Sequence, residues 1–323
     1  MKAMVYTQYG PPDVLQLKEV EKPTPQANEV LIKIHAASVN AADWHVLKAD
    51  PFIARFDAGL FKPKFPILGA DIAGVVESIG TGVTQFKPGD EVYADLSHCG
   101  WGGFAEYVAV PENVLALKPT NLSFPEAASV PMAALTALQG LRDKGQIRAG
   151  QKVLINGASG GVGTFAVQIA KSFGTHVTAV CSTSKMDMVR SIGADDVIDY
   201  TKEDFTRNGQ QYDLILAANG YHSLFAYKRA LAPNGIYVMT GGTLSQIFQA
   251  MLLGSLVSKF GPKKMYGVLA RPDPNDLAYM KDLIEAGKVT PVIDRCYPLA
   301  ETAEAIRYVD AGHARGKVVI TMV

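Results

Sequence analysis

The 323-residue chain has no excess of charge of either sign, because 31 Lys and Arg residues balance 31 Asp and Glu residues. A nucleic-acid partner calls for a basic surface, so this balance argues against one. The sequence also has no apolar run long enough to cross a bilayer, and residues 1–10 contain no long apolar segment typical of a secretion signal. We therefore expect no membrane span and a cytoplasmic location.

Cysteine is scarce as well. The three cysteines, Cys99, Cys181 and Cys296, are odd in number and far apart in sequence, which fits reduced thiols better than a disulfide framework. None has a second cysteine close by, as a cysteine-based zinc site would require. With 48% apolar and 19% charged residues, the chain is instead typical of a globular protein long enough for two domains.

Two secondary-structure patterns follow one another along the chain. Residues 1–120 contain short strands divided by Pro and Gly, which predicts an all-β domain, a barrel. The pair Ser123 and Glu126 forms a capping box that opens an Ala-rich helix running to about Leu141. Strands and helices then alternate as far as residue 271, which predicts a doubly wound parallel sheet. We expect an α/β protein in which residues 121–271 are inserted into the first domain, to which residues 272–323 return.

A glycine turn at residues 157–163 is the most informative feature. A short apolar strand, Val153–Asn156, precedes it, and apolar residues at helical spacing follow it. Such glycines let a pyrophosphate approach bare backbone, and the helix N-terminus offers free N–H groups. A glycine string can be only a loop, but the order strand, turn, helix favours a dinucleotide site. The residues predicted to form it are Ser159, Gly160, Gly161 and Val162.

The same stretch carries a family resemblance. Its matching positions are Gly150, Gln151, Leu154, Ala158, Ser159, Gly160, Gly161, Gly163, Gln168 and Lys171. In these the chain resembles the quinone oxidoreductase (zeta-crystallin-like) branch of the medium-chain dehydrogenase/reductase superfamily. Residues 66–74, 89–92 and 103–107 look like other recurrent segments of that superfamily. The resemblance implies a GroES-like β-barrel catalytic domain with an inserted Rossmann domain that binds the cofactor.

The resemblance also bears on zinc. The Cys, His and Cys that bind catalytic zinc in alcohol dehydrogenases of the superfamily fall here on Asn40, Ala70 and about Met132. None of these is a usable zinc ligand. The lobe that holds structural zinc in those enzymes is also missing around Cys99. We therefore expect no metal, and hydride transfer from nicotinamide to an acceptor that is already electrophilic.

The residues after the second strand of the inserted domain indicate NADPH. An NAD-binding fold places an acid there, whereas this strand is followed by Ser182, Thr183 and Lys185. Alternatively, Lys185 is a solvated residue of the next helix. The resemblance adds Tyr200 as a contact of the 2′-phosphate. Arg315 and Lys317 are further candidates, or else ordinary surface charges.

Other residues are predicted to lie near the nicotinamide. The resemblance places Thr136 beside the ring and makes Asn40 face it. Four residues at the ends of the later strands are also predicted to face the cofactor, although they could be ordinary turn residues: Asn219, Gly241, Gly242 and Thr243. His45 could hydrogen-bond the acceptor oxygen and transfer a proton, or be a packed or solvent-facing residue with water as the proton donor.

We predict an NADPH-dependent reductase of a quinone or an α,β-unsaturated carbonyl compound. The alternatives are an enoyl-thioester reductase and an NADPH-binding protein with little turnover, in a sensor or structural role. The apolar segment 243–257 could roof an acceptor pocket, form a subunit contact or pack in the core. Relatives commonly pair through an edge strand, which here is predicted at Tyr266–Ala270 and favours a homodimer.

Overall fold

The computed structural model describes residues 1–50, 52, 55–220, 222–241, 258 and 261–322, with only the main chain of Asp57. The chain divides into two units. The first comprises Met1–Met132, Pro272–Glu285 and Pro291–Val323, and the second comprises Ala133–Arg271 and Ala286–Thr290. The second unit therefore begins later than residue 121 and also includes a short segment of the predicted returning tail.

The first unit is mainly antiparallel. Its strands are β1 (Lys2–Val5), β2 (Gln16–Glu19), β3 (Glu29–Val39), β4 (Asp71–Ile79), β5 (Glu91–Asp95), β6 (Tyr107–Pro111), β7 (Ala116–Leu117), β14 (Ile293–Pro298) and β15 (Lys317–Thr321). β1 pairs with β2, while a seven-stranded sheet has the order β14-β15-β3-β4-β5-β7, with β6 paired to β3. Its helices are α1 (Ala41–Lys48), α2 (Arg55–Ala58), α3 (Phe124–Ala128), α8 (Pro274–Glu285) and α9 (Thr302–Asp310). Among the strands that the structure describes in the larger sheet, only the pair β14–β15 is parallel.

The second unit is built on a parallel six-stranded sheet, as the alternation predicts. Its strands are β8 (Lys152–Asn156), β9 (His176–Cys181), β10 (Asp196–Asp199), β11 (Tyr212–Ala217), β12 (Leu231–Met239) and β13 (Lys264–Gly267), in the order β10-β9-β8-β11-β12-β13. Its helices are α5 (Gly161–Ser172), α6 (Met186–Ser191), α7 (Leu224–Ala230) and most of α4 (Pro131–Gln139), which continues as a wide turn at Gly140–Lys144. The middle strands are buried on both faces, which explains their continuous apolar runs.

The Ala-rich helix differs from its prediction. The capping box forms, since the Ser123 N–H donates to Glu126 Oε2 at 2.8 Å. The helix then stops at Ala128, and a new one begins at Pro131. Proline has no N–H to donate and disfavours helical backbone in the residue before it, so one helix becomes two.

Two signature residues tie separate segments to α5 within the second unit. The Gln168 side chain donates to the Thr290 carbonyl at 2.9 Å and accepts from the Thr290 N–H at 2.8 Å. Lys171 contacts both carboxylate oxygens of Asp195 at 2.8 Å. The bonds between Gln168 and Thr290 explain why residues 286–290 belong to the second unit, although the residues on either side of them belong to the first.

Among the described residues, no helix has both the length and the apolar character needed to cross a membrane.

Candidate functional site

The predicted dinucleotide site lies past the carboxyl ends of the parallel strands in the second unit. The strand order changes direction between β8 and β11, because the chain runs outward from β8 to β10 and then returns to β11. In open α/β sheets a dinucleotide binds in the crevice at such a reversal. The predicted residues follow the ends of five strands: Ser159, Gly160, Gly161 and Val162 after β8, Ser182, Thr183 and Lys185 after β9, Tyr200 after β10, Asn219 after β11 and Gly241 after β12.

The glycine turn has two glycines that the fold requires and one that leaves backbone accessible. Gly157 has a φ of +80°, and a Cβ there would lie 2.7 Å from the Asn219 nitrogen. A Cβ on Gly163 would lie 2.1 Å from the Gly157 carbonyl oxygen, so the helix packs directly on the turn. A Cβ on Gly160, by contrast, would meet nothing nearer than the Gly157 oxygen at 3.6 Å.

The open side of Gly160 fits a dinucleotide. Gly160 is the residue immediately before α5, whose first residue is Gly161. The first N–H groups of a helix have no partner within it, and its dipole favours an anion there. Bare backbone beside a helix N-terminus is what a pyrophosphate needs, so this turn can hold the phosphates of the predicted cofactor.

The later strand ends meet the same turn. The Asn219 N–H donates to the Asn156 carbonyl at 3.3 Å, and a Cβ on Gly241 would lie 2.5 Å from the Ala218 oxygen. Asn219, Gly241 and the glycine turn are therefore brought together at one edge of the sheet. Thr136 lies on α4 and is buried. Gly242 and Thr243, like the apolar segment 243–257, lie outside the described residues.

A buried ionic cluster surrounds Asn40 in the first unit. Asp71 has no exposed surface, and Lys317 is 3% exposed. Asp71 Oδ2 accepts from the Ser38 hydroxyl at 2.9 Å, from Asn40 Nδ2 at 2.9 Å and from Lys317 Nζ at 3.3 Å. Asp71 Oδ1 accepts from the Met132 N–H at 2.9 Å, and Asn40 Oδ1 accepts from Lys317. These bonds hold the Asn40 amide in one orientation.

Two further buried carboxyl groups adjoin this cluster. Asp43 Oδ2 accepts from the Asn40 N–H at 2.7 Å, and its Oδ1 accepts from the Gly69 N–H at 3.1 Å. Burial raises the pKa of Asp43 to about 7, and the charge of Asp71 adds to the rise. Asp95 stands opposite Asp71 in the strand register, and burial likewise raises its pKa. Burial therefore favours the neutral, protonated form of Asp43 and Asp95.

Lys317 differs from the expectation that it contacts the cofactor phosphate. Its ammonium is buried and directed to Asn40 and Asp71, both in the first unit, whereas Ser182, Lys185 and Tyr200 are in the second. A buried lysine requires an anionic partner, and Asp71 supplies it. Lys317 thus supports Asn40 in this structure.

The contacts of the His45 ring fix which of its nitrogens carries the proton. Its Nδ1 lies 2.5 Å from the Asp50 carbonyl oxygen, and its ring stacks on Trp44 with the centroids 3.6 Å apart. A carbonyl only accepts, so Nδ1 carries the proton and Nε2 of the neutral ring has none to donate. The neutral imidazole can therefore accept a hydrogen bond at Nε2, but it can act as a proton donor only after gaining a second proton.

The three positions that correspond to zinc ligands in the alcohol dehydrogenases lie next to Asp71 or contact it. Asn40 offers an amide and residue 132 offers a main-chain N–H, while Ala70 has no donor atom in its side chain. Burial raises the pKa of the Cys99 thiol to about 12, which disfavours the thiolate that zinc needs. No group of three or more potential metal-ligating side chains occurs among the residues that the structure describes.

Sequence reasoning did not single out Asp71 or Ser38, which belong to the cluster around Asn40. Asp71 stands within an apolar run, Ile67 to Val76, and Lys317 directly precedes another apolar segment. A charged residue in such a run is buried only if it is paired, so this pattern was the available signal. The pattern could not identify the partner of Asp71, because Lys317 lies 246 positions further along the chain.

Comparisons with known proteins agree with this architecture. Residues 26–120 match the family described as alcohol dehydrogenase GroES-like domain, and residues 192–320 match the family described as zinc-binding dehydrogenase. The chain belongs to the medium-chain dehydrogenase/reductase superfamily, in its quinone oxidoreductase branch. It has the fold of that superfamily, with a GroES-like domain and a Rossmann-like parallel sheet.

Individual relatives cover almost the whole chain. A chloroplast envelope quinone oxidoreductase homologue of Arabidopsis thaliana is 36% identical over 334 residues, 99% of this chain and 98% of the relative. An NADPH-dependent alkenal/one oxidoreductase from the same plant is 36% identical over 99% of this chain and 79% of its own length. A quinone oxidoreductase structure from Coxiella burnetii has a TM-score of 0.89 and 31% identity, over 100% of this chain and 99% of the other. These relatives support an oxidoreductase with a nicotinamide cofactor.

Proposed function

We propose that this protein is an NADPH-dependent oxidoreductase that reduces a quinone or an α,β-unsaturated carbonyl compound without zinc. The observation that carries the proposal is the accessible backbone of Gly160 at the start of α5, at the reversal of strand order. The relatives named for quinone and alkenal/one reduction support the same acceptor classes.

On the cofactor side, the turn from Ser159 to Val162 would hold the pyrophosphate. Ser182, Lys185 and Tyr200 would hold the 2′-phosphate; the main chains of β9 and β10, which carry them, are paired up to Cys181 and Asp199. Tyr200 is 61% exposed, and its N–H donates to the Cys181 carbonyl at 3.1 Å. We propose Thr136 and Asn219 as contacts of the nicotinamide half, which supplies the hydride when the cofactor is bound.

On the acceptor side, we propose that Asn40 is the polar group that orients the acceptor. The cluster fixes its amide, so it can position a ligand with little loss of side-chain entropy. The internal ammonium of Lys317 already balances Asp71, and the donor set around Asp71 lacks the thiolates and imidazoles that zinc prefers. Without a Lewis acid an acceptor must be electrophilic in itself, as quinones and enones are.

The proton that completes the reduction is proposed to come from solvent or from the protonated form of His45. The neutral ring has no proton on Nε2 while Nδ1 donates to Asp50. The activity would then be retained, although reduced, in His45→Ala.

Steady-state oxidation of NADPH tests the proposal, with an ortho-quinone, an alkenal and a crotonyl thioester as separate acceptors. We expect turnover with the quinone or the alkenal, and no stoichiometric zinc in elemental analysis of the purified protein. Turnover with the thioester alone would favour an enoyl reductase. Tight NADPH binding without any turnover would contradict the enzyme proposal and leave the cofactor assignment in place.

We also propose a homodimer that forms through the edge strand β13. The strand spans Lys264–Gly267 and has β12 on one side, with its other side at the end of the sheet order. The strand therefore begins and ends a few residues before the predicted edge strand, Tyr266–Ala270. An edge of this kind offers unpaired N–H and C=O groups to a second copy. Sedimentation equilibrium of the purified chain would test it, and a monomer at micromolar concentration would contradict it.

A further inference from the structure

The turn proposed to bind the 2′-phosphate has an acid beside it. No acid follows β9 itself, but β10 ends at Asp199, which pairs with Cys181 in the strand register. The Thr183 hydroxyl, from the turn after β9, donates to Asp199 Oδ2. The acid that the sequence lacks after the second strand is thus supplied by the neighbouring strand.

Asp199 is fully engaged by its own surroundings. Its Oδ1 accepts from the Thr201 N–H at 3.0 Å and from the Thr201 hydroxyl at 2.7 Å, while Lys202 Nζ lies 3.6 Å from Oδ2. The hydrogen bonds from Thr183 and Thr201 lower the pKa of this carboxyl group to about 2. The group is therefore an anion at neutral pH.

An acid at the end of the second strand normally accepts the ribose hydroxyls of NADH, and Asp199 lies beside that position, in register with Cys181 at the end of β9. Here the carboxylate is 7% exposed, and Thr183 occupies Oδ2 with its hydroxyl. Thr201 holds Oδ1, and its hydroxyl oxygen lies 3.4 Å from that of Thr183. Thr183 is therefore the residue that joins this acid to the turn after β9. Loss of the Thr183 hydroxyl would leave one carboxylate oxygen without its shortest partner.

We propose that Thr183 is a specificity-determining residue that withholds Asp199 from the cofactor ribose and thereby disfavours NADH. The inference rests on the proposed nicotinamide cofactor. It revises the expected role of Thr183, whose proton goes to Asp199 and not to a 2′-phosphate. The phosphate is then left to Ser182, Lys185 and Tyr200.

Equilibrium titration of the full-length protein with NADH and with NADPH, followed by fluorescence, tests this role. Thr183→Val keeps the shape of the side chain and removes the hydroxyl. We expect the NADH Kd to fall about tenfold, the effect of one gained hydrogen bond to a charged group. In Thr183→Val with Asp199→Asn the NADH Kd should return to the wild-type value, because the acceptor charge is gone.

Thr201→Val is the matched control. It removes a hydroxyl from the same carboxylate, but the Thr201 N–H still binds Oδ1. The ratio of the two Kd values should therefore match the wild type. Circular dichroism verifies that each variant folds, and Thr183→Ala is a second variant should valine disturb the turn.

Two outcomes would overturn the inference. An unchanged NADH Kd in Thr183→Val shows that Asp199 is not withheld from the ribose. A rise in the NADPH Kd alone shows that Thr183 contacts the phosphate directly. A wild-type protein that binds neither nucleotide would instead refute the proposed function, so the two failures are distinguishable.

Discussion

The two candidate binding regions are constructed in opposite ways. The cofactor turn in the second unit is one continuous segment, residues 157–163, that offers main chain and almost no side-chain chemistry. The Asn40 cluster in the first unit consists of charged and polar side chains from distant segments, buried against each other. The cofactor turn requires open space beside its backbone, whereas the Asn40 cluster requires that each buried polar group has a partner. Substitutions should therefore affect the two regions differently.

The largest effect is expected where the buried cluster loses its cation. Lys317→Met leaves Asp71 as an unpaired buried charge, which typically costs about 3–5 kcal/mol of the free energy of unfolding. Urea denaturation would measure it. Lys22→Met is the matched control: Lys22 pairs with Glu77 at the surface, both side chains being more than a third exposed, so its loss should cost far less than that of Lys317.

A companion variant sharpens that result. Asp71→Leu combined with Lys317→Met removes both charges, and we expect it to recover part of the stability lost in Lys317→Met, because no unpaired charge remains. If the single variant were as stable as the wild type, Asp71 would not depend on Lys317 for its charge. The cluster would then not explain the fixed orientation of Asn40.

The cofactor turn should respond to the addition of one methyl group. Gly160→Ala places a Cβ in the open space predicted for the pyrophosphate, so we expect NADPH affinity to fall about tenfold or more while stability changes by less than about 1 kcal/mol. Gly163→Ala forces a Cβ against the Gly157 oxygen and should destabilise the fold by about 1–3 kcal/mol. Isothermal titration with NADPH and urea denaturation separate these effects. Unchanged affinity in Gly160→Ala would place the cofactor elsewhere.

The sequence allowed the cofactor turn to be predicted because its information is local. A strand, a turn with glycines at the required places and a helix occur within about twenty residues, and each glycine has a steric reason that can be anticipated. The parallel sheet followed for the same reason, since its strands and helices alternate along the chain.

The buried cluster could not be predicted, because its contacts join residues that only the tertiary fold brings together. The same is true of the bond from Thr183 to Asp199, which joins the ends of two neighbouring strands. Pro131 is a signal in the sequence that one helix ends and another begins. The Ala-rich pattern on both sides of it nevertheless led to the prediction of a single helix. The burial of Lys317 was also missed, because the sequence was interpreted with this charged residue at the surface.

At Asp43 the expected effect is a slope of stability against pH rather than a loss of stability or affinity at one pH. Burial raises the pKa of Asp43 from 3.8 to about 7, against the lowering contribution of Lys317. Between about pH 4 and 7 the unfolded chain therefore releases a proton that the folded protein retains. The free energy of unfolding should fall as pH rises through this window, by at most about 1.4 kcal/mol per pH unit, and level off above it.

Asp43→Asn removes this titration, so urea denaturation across the same pH range should give a flatter profile than the wild type. Asp95 has a pKa raised in the same direction and keeps some slope in both proteins. Parallel profiles would mean that the N–H groups of Asn40 and Gly69 keep Asp43 ionised despite its burial. In that case the cluster would carry a second buried anion, held by main-chain hydrogen bonds rather than by the ammonium of Lys317.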